Sequence, residues 1–93
     1  MRMIKDIGEF VNVLTPEKVN KNLIERFKKR RKEAKLSQKK LAELSGVSYG
    51  SIRRFESTGE ISLKSLLYLA YKINCLQDFE ELFKYEIILK IKE

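Results

Sequence analysis

Residues 36–61 read LSQKKLAELSGVSYGSIRRFESTGEI, and this stretch decides the fold. Ser37 is the residue type that caps a helix N-terminus, because its hydroxyl accepts a hydrogen bond from an unpaired backbone amide. Gly46 falls where a left-handed residue would end that helix after about two turns, and Ser48 caps a second helix two residues later. The expected inward-facing residues of the two helices are Leu41, Ala42, Leu44, Ile52 and Phe55.

Two short helices separated by about three residues, with glycine at the bend, predict a helix-turn-helix motif over residues 37–56. Helical patterns continue on both sides of it. Thr15-Pro16-Glu17 predicts the start of a long first helix. Ser62 predicts a fourth helix that is apolar around nearly its whole circumference and is therefore expected to be the most buried. The first helix is expected to bury a stripe of Val19, Leu23, Ile24, Phe27 and Ala34. A short fifth helix from about Gln77 should bring Phe79, Leu82 and Phe83 to one side.

The two ends of the chain differ from this helical pattern. Residues 84–93 are dense in isoleucine, alternate partly between polar and apolar, and predict a strand. Such a strand needs a partner, either residues 10–14 of the same chain or the same strand of a second subunit, and we expect the second, a homodimer. We therefore predict an all-α domain of five helices over residues 15–83, an N-terminal extension over 1–14, and a strand-like dimerisation tail over 84–93.

Composition excludes most catalytic chemistries. The chain has 93 residues, 20 Lys+Arg against 13 Asp+Glu, a net charge of +7, one cysteine and no histidine. Without histidine there is no Ser-His or Cys-His pair, and one cysteine without histidine cannot form a tetrahedral zinc site, so we expect neither an enzyme nor a metal or other cofactor. A lone thiol forms no intrachain disulfide, and no signal segment or membrane span is visible, so we expect a cytoplasmic protein without membrane contact. Cys75 is expected to be a structural thiol.

The stretch from Leu36 to Ile61 resembles the helix-turn-helix of the lambda-repressor and Cro-like (XRE) transcriptional regulators. The Ser-Gln helix start, Leu-Ala, the turn glycine, Val-Ser, Ser-Ile and the Glu after the second helix all occur in register. The resemblance covers about residues 20–76 and implies a five-helix lambda-repressor-like DNA-binding domain. It also implies a dimer that binds double-stranded operator DNA with the second helix of the motif in the major groove.

Two further segments resemble small antitoxins encoded beside HipA-like toxin kinases. They are residues 55–67, FESTGEISLKSLL, and residues 76–83, LQDFEELF. This resemblance implies an autoregulating repressor that also restrains a kinase by direct contact. A stand-alone regulator of the same family is the alternative.

A recognition helix presents its N-terminal turns to base edges, which points to Ser48, Tyr49, Arg53 and Arg54 as base contacts. Arginine can bind guanine O6 and N7 with two donors, while Gly50 offers no side chain at a position where the family often has a long polar one. From the resemblance and the polarised helix ends, the expected phosphate contacts are Gln38, Ser37, Lys39, Lys40 and Ser51. The resemblance also implies that Gln38 braces the recognition helix.

Cations crowd the second half of the first helix, namely Arg26, Lys28, Lys29, Arg30, Arg31, Lys32 and Lys35. They are spread around the helix, so about a third of them can face one DNA duplex, and the alternative is a solvated face that keeps the protein soluble. If about four phosphates per subunit are neutralised, affinity falls with salt at a log–log slope of roughly −0.9 per phosphate. The competing functional class is a protein-interaction module that keeps this fold and uses its basic face for an acidic partner.

Overall fold

The computed structural model describes residues 13–86, and this part of the chain folds into five α-helices without a strand. The all-α, five-helix prediction is therefore confirmed. The helices are α1 (Pro16–Glu33), α2 (Gln38–Ser45), α3 (Tyr49–Thr58), α4 (Leu63–Lys72) and α5 (Leu76–Glu80).

Each of the first four helices begins at a hydroxyl cap. Thr15 accepts a hydrogen bond from the Lys18 amide, with Pro16 in the first turn of α1. The Ser37, Ser48 and Ser62 side chains accept from the amide three residues further on in the same way. Because these caps satisfy amides that a helix leaves unpaired, the sequence alone sets where the helices start.

The core lies where α1, α2, α3 and α4 meet. Phe27 of α1 and Phe55 of α3 pack edge to face, with ring centroids 5.0 Å apart. Leu41 of α2, Ile52 of α3 and Leu69 of α4 are fully buried in the same core. Because α3 packs on α1 with one side and on α2 with another, the rest of its circumference faces solvent.

The apolar stripe predicted for α1 is only partly correct. Ile24 and Phe27 are buried, but Val19, Leu23 and Ala34 are exposed. The third buried residue of α1 is Arg31, which the charge pattern had grouped with solvated cations. A helix of 18 residues that meets its neighbours along one narrow strip does not need a full apolar stripe.

The prediction that α4 is the most buried helix is wrong. Leu69 and Ala70 are buried, whereas Leu63, Tyr68 and Tyr71 are more than half exposed. The fifth helix is also shorter than predicted: it begins at Leu76 and ends at Glu80, which leaves Leu82 and Phe83 exposed beyond it. The apolar circumference of α4 is thus only half covered by residues 13–86.

The two terminal predictions fall largely outside the described residues. Residues 84–86 are exposed and belong to neither a helix nor a strand, so this end of the predicted strand is not formed there. The remainder of the predicted tail, 87–93, and residues 1–12 of the N-terminal extension lie outside the described part.

Candidate nucleic-acid interface

The exposed face of α3 carries the residues predicted to read bases. Successive residues of an α-helix are about 100° apart, so Ile52, Phe55 and Glu56, which are buried, define one side. Arg53 and Arg54 then lie on the opposite side with Gly50, and both arginines are exposed. The helix therefore points two guanidinium groups away from the core.

A buried ion pair fixes how α3 is seated. Arg31 Nε donates to Glu56 Oε2 at 2.7 Å and Arg31 Nη2 donates to Oε1 at 2.9 Å, which makes the pair bidentate. Arg31 Nη1 also donates to the Leu36 carbonyl at 2.9 Å, so the same guanidinium joins α1, the turn before α2, and α3. Two such hydrogen bonds in a fork fix both distance and orientation, so rotation of α3 about its axis would break them.

Gln38 completes this arrangement from the start of α2. Its Nε2 donates to Glu56 Oε1 at 2.8 Å, and the side chain is half-buried. The predicted brace between Gln38 and the recognition helix is present in the structure. The amide points inward to Glu56, so a phosphate contact by Gln38 would rely on the second hydrogen of its NH2 group.

On one flank of the exposed α3 face, the Tyr49 ring lies against two cations. Lys39 Nζ and the guanidinium carbon of Arg53 are each 5.5 Å from the ring centroid. This distance is within the range of a cation–π interaction. One aromatic ring therefore joins a predicted phosphate contact on α2 to a predicted base contact on α3.

On the other flank, Arg54 pairs with Glu60 in the loop after α3. Arg54 Nε donates to Glu60 Oε1 at 2.7 Å, and Nη2 lies 2.6 Å from the same oxygen. Neither residue was expected to have an ionic partner. Glu60 was missed because six residues separate the pair across a helix end, and helical spacing rules do not cover such a turn.

The serines predicted to touch DNA are first of all caps. Ser37 Oγ accepts from the Lys40 amide at 3.0 Å, and Ser48 Oγ accepts from the Ser51 amide at 3.0 Å. The Ser48 hydroxyl donates to Ser51 Oγ at 2.8 Å, so its proton is already engaged. Both caps stay exposed at the two helix ends, beside the cations.

The predicted phosphate contacts Lys39 and Lys40 are both exposed, but they differ in their neighbours. Lys40 Nζ lies 3.4 Å from Glu43 Oε1, whereas Lys39 lies over the Tyr49 ring. Of the cations on α1, Arg31 is buried in its ion pair and does not belong to an exposed basic face. Arg30 lies 3.9 Å from Asp78 of α5, so it also has an acidic neighbour.

These features form a helix-turn-helix motif: two short capped helices, a glycine bend, and a second helix whose cationic face is exposed. Residues 27–70 match a family model described as Helix-turn-helix, a stretch that runs from the middle of α1 to the end of α4. The match supports a DNA-binding transcriptional regulator, and the model describes a DNA-binding family and not an enzyme family. No curated protein and no solved structure gives a significant match to this chain.

None of the helices within residues 13–86 has the length and apolarity needed to cross a bilayer. The same residues contain no group of three or more His, Cys, Asp or Glu side chains arranged to hold a metal ion.

Proposed function

We propose that this chain is a sequence-specific transcriptional repressor that binds double-stranded operator DNA as a homodimer. The DNA-binding domain spans residues 15–83, with the motif at 37–56. In this proposal Ser48, Tyr49, Arg53 and Arg54 contact base edges. The proposed phosphate contacts are Ser37, Gln38, Lys39, Lys40 and Ser51.

The observation that carries the proposal is the way α3 is held. A bidentate buried ion pair and the Gln38 brace fix the helix, while Arg53 and Arg54 project from its far side. An α-helix fits the major groove, and arginine donors match the acceptors of guanine there. A rigidly seated helix with two exposed arginines is what base recognition requires.

The apolar surface at the other end of the domain supports the homodimer. We define the C-terminal apolar surface by its exposed residues, Leu63, Tyr68, Tyr71, Leu76, Leu82, Phe83 and Tyr85. It contains a groove of about 330 Å³ between α4 and the start of α5. Residues 87–93 follow directly in sequence and contain four apolar side chains, so the occupant we propose is a second copy, with its 84–93 tail as part of the interface.

The DNA proposal is tested with the whole chain and an operator selected from random or genomic fragments. Affinity for this operator is then measured by fluorescence anisotropy at several salt concentrations. Arg53→Ala with Arg54→Ala should weaken binding by about 1–3 kcal/mol for each lost base contact and relax the sequence preference. Survival of tight, selective binding in this double variant would refute the assignment of α3.

A matched control removes two cations from the opposite side of α1. Ile24, Phe27 and Arg31 mark the side of α1 that is buried, and Lys18 and Lys29 lie on the far side at helical spacing. Lys18→Ala with Lys29→Ala lowers the net charge equally and should leave sequence preference unchanged. If no fragment is selected at all, the chain is instead an interaction module for an acidic partner.

The dimer proposal has its own test in the oligomeric state. Tyr68→Glu places a charge in the groove of the C-terminal apolar surface and should shift the mass measured by light scattering from dimer to monomer. Val19→Glu is the control, because Val19 is an exposed apolar residue of α1 outside the C-terminal apolar surface. A wild-type chain that is monomeric at high concentration would exclude this dimer.

The finer proposal is that the repressor is the antitoxin of a HipA-like kinase, acts in the cytoplasm and regulates its own operon. Its support is the likeness of residues 55–67 and 76–83 to such antitoxins. Co-expression with the product of any kinase-like neighbouring gene, followed by co-purification, tests it. A chromosome without such a gene beside this one would leave the stand-alone regulator.

A further inference from the structure

Glu60 places a negative charge beside a helix that is proposed to approach the phosphate backbone. It lies just after α3, its side chain is 63% exposed, and it pairs with Arg54, which is 68% exposed. An exposed pair of this kind adds little to stability. A carboxylate at this place also repels the phosphates of DNA. The presence of Glu60 is therefore explained neither by a gain in the stability of the fold nor by a gain in affinity for DNA.

The contact leaves one edge of the Arg54 guanidinium free. Glu60 Oε1 lies against Nε and Nη2, at 2.7 and 2.6 Å. A guanidinium carries five N–H donors, and the edge formed by Nη1 and Nη2 is not used by the carboxylate. That free edge has the spacing of the two acceptors that guanine presents in the major groove, O6 and N7.

The backbone that carries Glu60 is itself anchored to α3. The Glu60 amide donates to Thr58 Oγ1 at 3.1 Å, and that hydroxyl donates to the Arg54 carbonyl at 2.8 Å. Gly59 turns the chain in the left-handed conformation at φ +86°, and Asn20 of α1 donates to the Thr58 carbonyl at 3.0 Å. The turn therefore brings residue 60 back alongside Arg54 and holds it there.

We infer that Glu60 is a specificity-determining residue: it holds Arg54 by the Nε and Nη2 edge and presents the Nη1 and Nη2 edge to guanine. The inference rests on the proposed function, in which Arg54 contacts a base. A long side chain that is already oriented loses less rotational freedom when it binds the correct base. Discrimination therefore increases while overall affinity for DNA decreases slightly.

The test compares wild type, Glu60→Gln, Arg54→Ala and the double variant on a library of operators that is randomised at each position. The position read by Arg54 is the one whose base preference disappears in Arg54→Ala. At that position Glu60→Gln should lower the preference for guanine by about three- to tenfold, part of the roughly 5- to 150-fold that a bidentate arginine supplies. Binding to random DNA should become tighter, because a negative charge is lost.

Two controls separate orientation from net charge and from folding. Glu25→Gln removes the same charge from the side of α1 away from α3 and should leave every base preference unchanged. In the Arg54→Ala background, Glu60→Gln should have no effect on base preference at the Arg54 position. The thermal midpoint of Glu60→Gln should match that of wild type, which shows that the turn is intact.

The outcomes are distinct. If Glu60→Gln tightens binding to all sequences equally and leaves the guanine preference intact, Glu60 only competes for Arg54, and the inference is overturned. If Arg54→Ala itself changes no base preference, the assignment of Arg54 as a base contact fails, and the inference fails with it. The inference is supported if Glu60→Gln lowers the guanine preference in the wild-type background and has no effect on it in the Arg54→Ala background.

Discussion

Arg31 and Glu56 form a bidentate ion pair inside the protein, with side chains only 9% and 3% exposed. Arg31 comes from α1 and Glu56 from the recognition helix α3, 25 residues later. A third N–H donor of Arg31, on Nη1, goes to the Leu36 carbonyl, and Gln38 supplies a further donor to Glu56. The charge of Arg31 is thus matched by that of Glu56, and the network connects α1, the start of α2 and α3.

We predict that breaking this pair on one side destabilises the domain severely. Glu56→Gln leaves a buried guanidinium without its counter-charge, and Arg31→Met leaves a buried carboxylate. Removing one partner of a buried pair costs about 3–5 kcal/mol, and the free energy of unfolding in urea would measure this loss. The free energy of unfolding of a native protein is only about 5–15 kcal/mol in total. A part of either variant is therefore expected to be unfolded at 37 °C.

The double variant Arg31→Met with Glu56→Leu should be more stable than either single variant, because no charge is left unpaired. Gln38→Ala should cost only about 1 kcal/mol, since it removes one hydrogen bond and keeps the pair. If the single variants of Arg31 and Glu56 have the same urea midpoint of unfolding as wild type, the pair contributes little to stability.

Three glycines provide a second prediction, because their surroundings differ. Gly46 and Gly59 are both left-handed, at φ +81° and +86°, but only Gly59 faces a neighbour, the Asn20 side-chain amide. Gly50 is helical with open space around it. Alanine should therefore stabilise at position 50 by about 0.5–1 kcal/mol and destabilise at position 46 by about 1–2 kcal/mol.

At position 59 the cost should be higher by about 1 kcal/mol, because the new methyl group displaces Asn20 from the Thr58 carbonyl. Thermal or urea unfolding of the three variants measures the order. In an Asn20→Ala background the Gly59→Ala penalty should fall to that of Gly46→Ala. A Gly59→Ala penalty that is the same with and without Asn20 would contradict the steric explanation.

The helix starts and most inward residues of the motif were predictable because they depend on local chemistry. The prediction for Leu44 is wrong, since this residue is 45% exposed. A hydroxyl cap acts within three residues, and Leu41, Ile52 and Phe55 are separated by helical spacing, so neither needs knowledge of the fold. The roles of Ser37 and Ser48 as caps follow from the same stretch, whereas the brace by Gln38 was implied by the family resemblance.

Pairings that cross the fold were not predictable from spacing. Arg31 looked like one more solvated cation among its neighbours, and only the packing of α1 on α3 brings it to Glu56. Leu63 looked like core because it lies in the apolar fourth helix, yet residues 13–86 supply nothing that covers it. Whether an apolar residue is buried depends on what lies opposite it, which the residue's own helix does not encode.

Cys75 gives a prediction with a defined pH direction. Burial raises the pKa of its thiol, Arg30 lowers it and Asp78 raises it, with burial the largest effect. The folded protein therefore holds less reactive thiolate than an unfolded chain at the same pH, and iodoacetamide should alkylate Cys75 more slowly until urea is added. Since the unfolded thiol ionises first, stability should decrease as the pH rises past the ordinary cysteine range.

The two charged neighbours should act in opposite directions on that rate. Asp78→Asn removes a carboxylate that raises the pKa of Cys75 and should speed alkylation, whereas Arg30→Gln should slow it. Equal rates for the folded and the urea-unfolded protein across the pH range would contradict the burial effect.

Tyr49 has two possible uses on the proposed interface, and the structure favours the ring over the hydroxyl. The ring lies 5.5 Å from both Lys39 Nζ and the Arg53 guanidinium carbon, so it can hold two cations toward DNA. Tyr49→Phe keeps this ring and should bind the selected operator within about twofold of wild type, while Tyr49→Leu should lose about 0.5–1 kcal/mol per cation–π contact. Anisotropy titrations of both variants on the same operator measure the difference. If Tyr49→Phe loses as much affinity as Tyr49→Leu, the hydroxyl contacts the DNA and the ring does not position the cations.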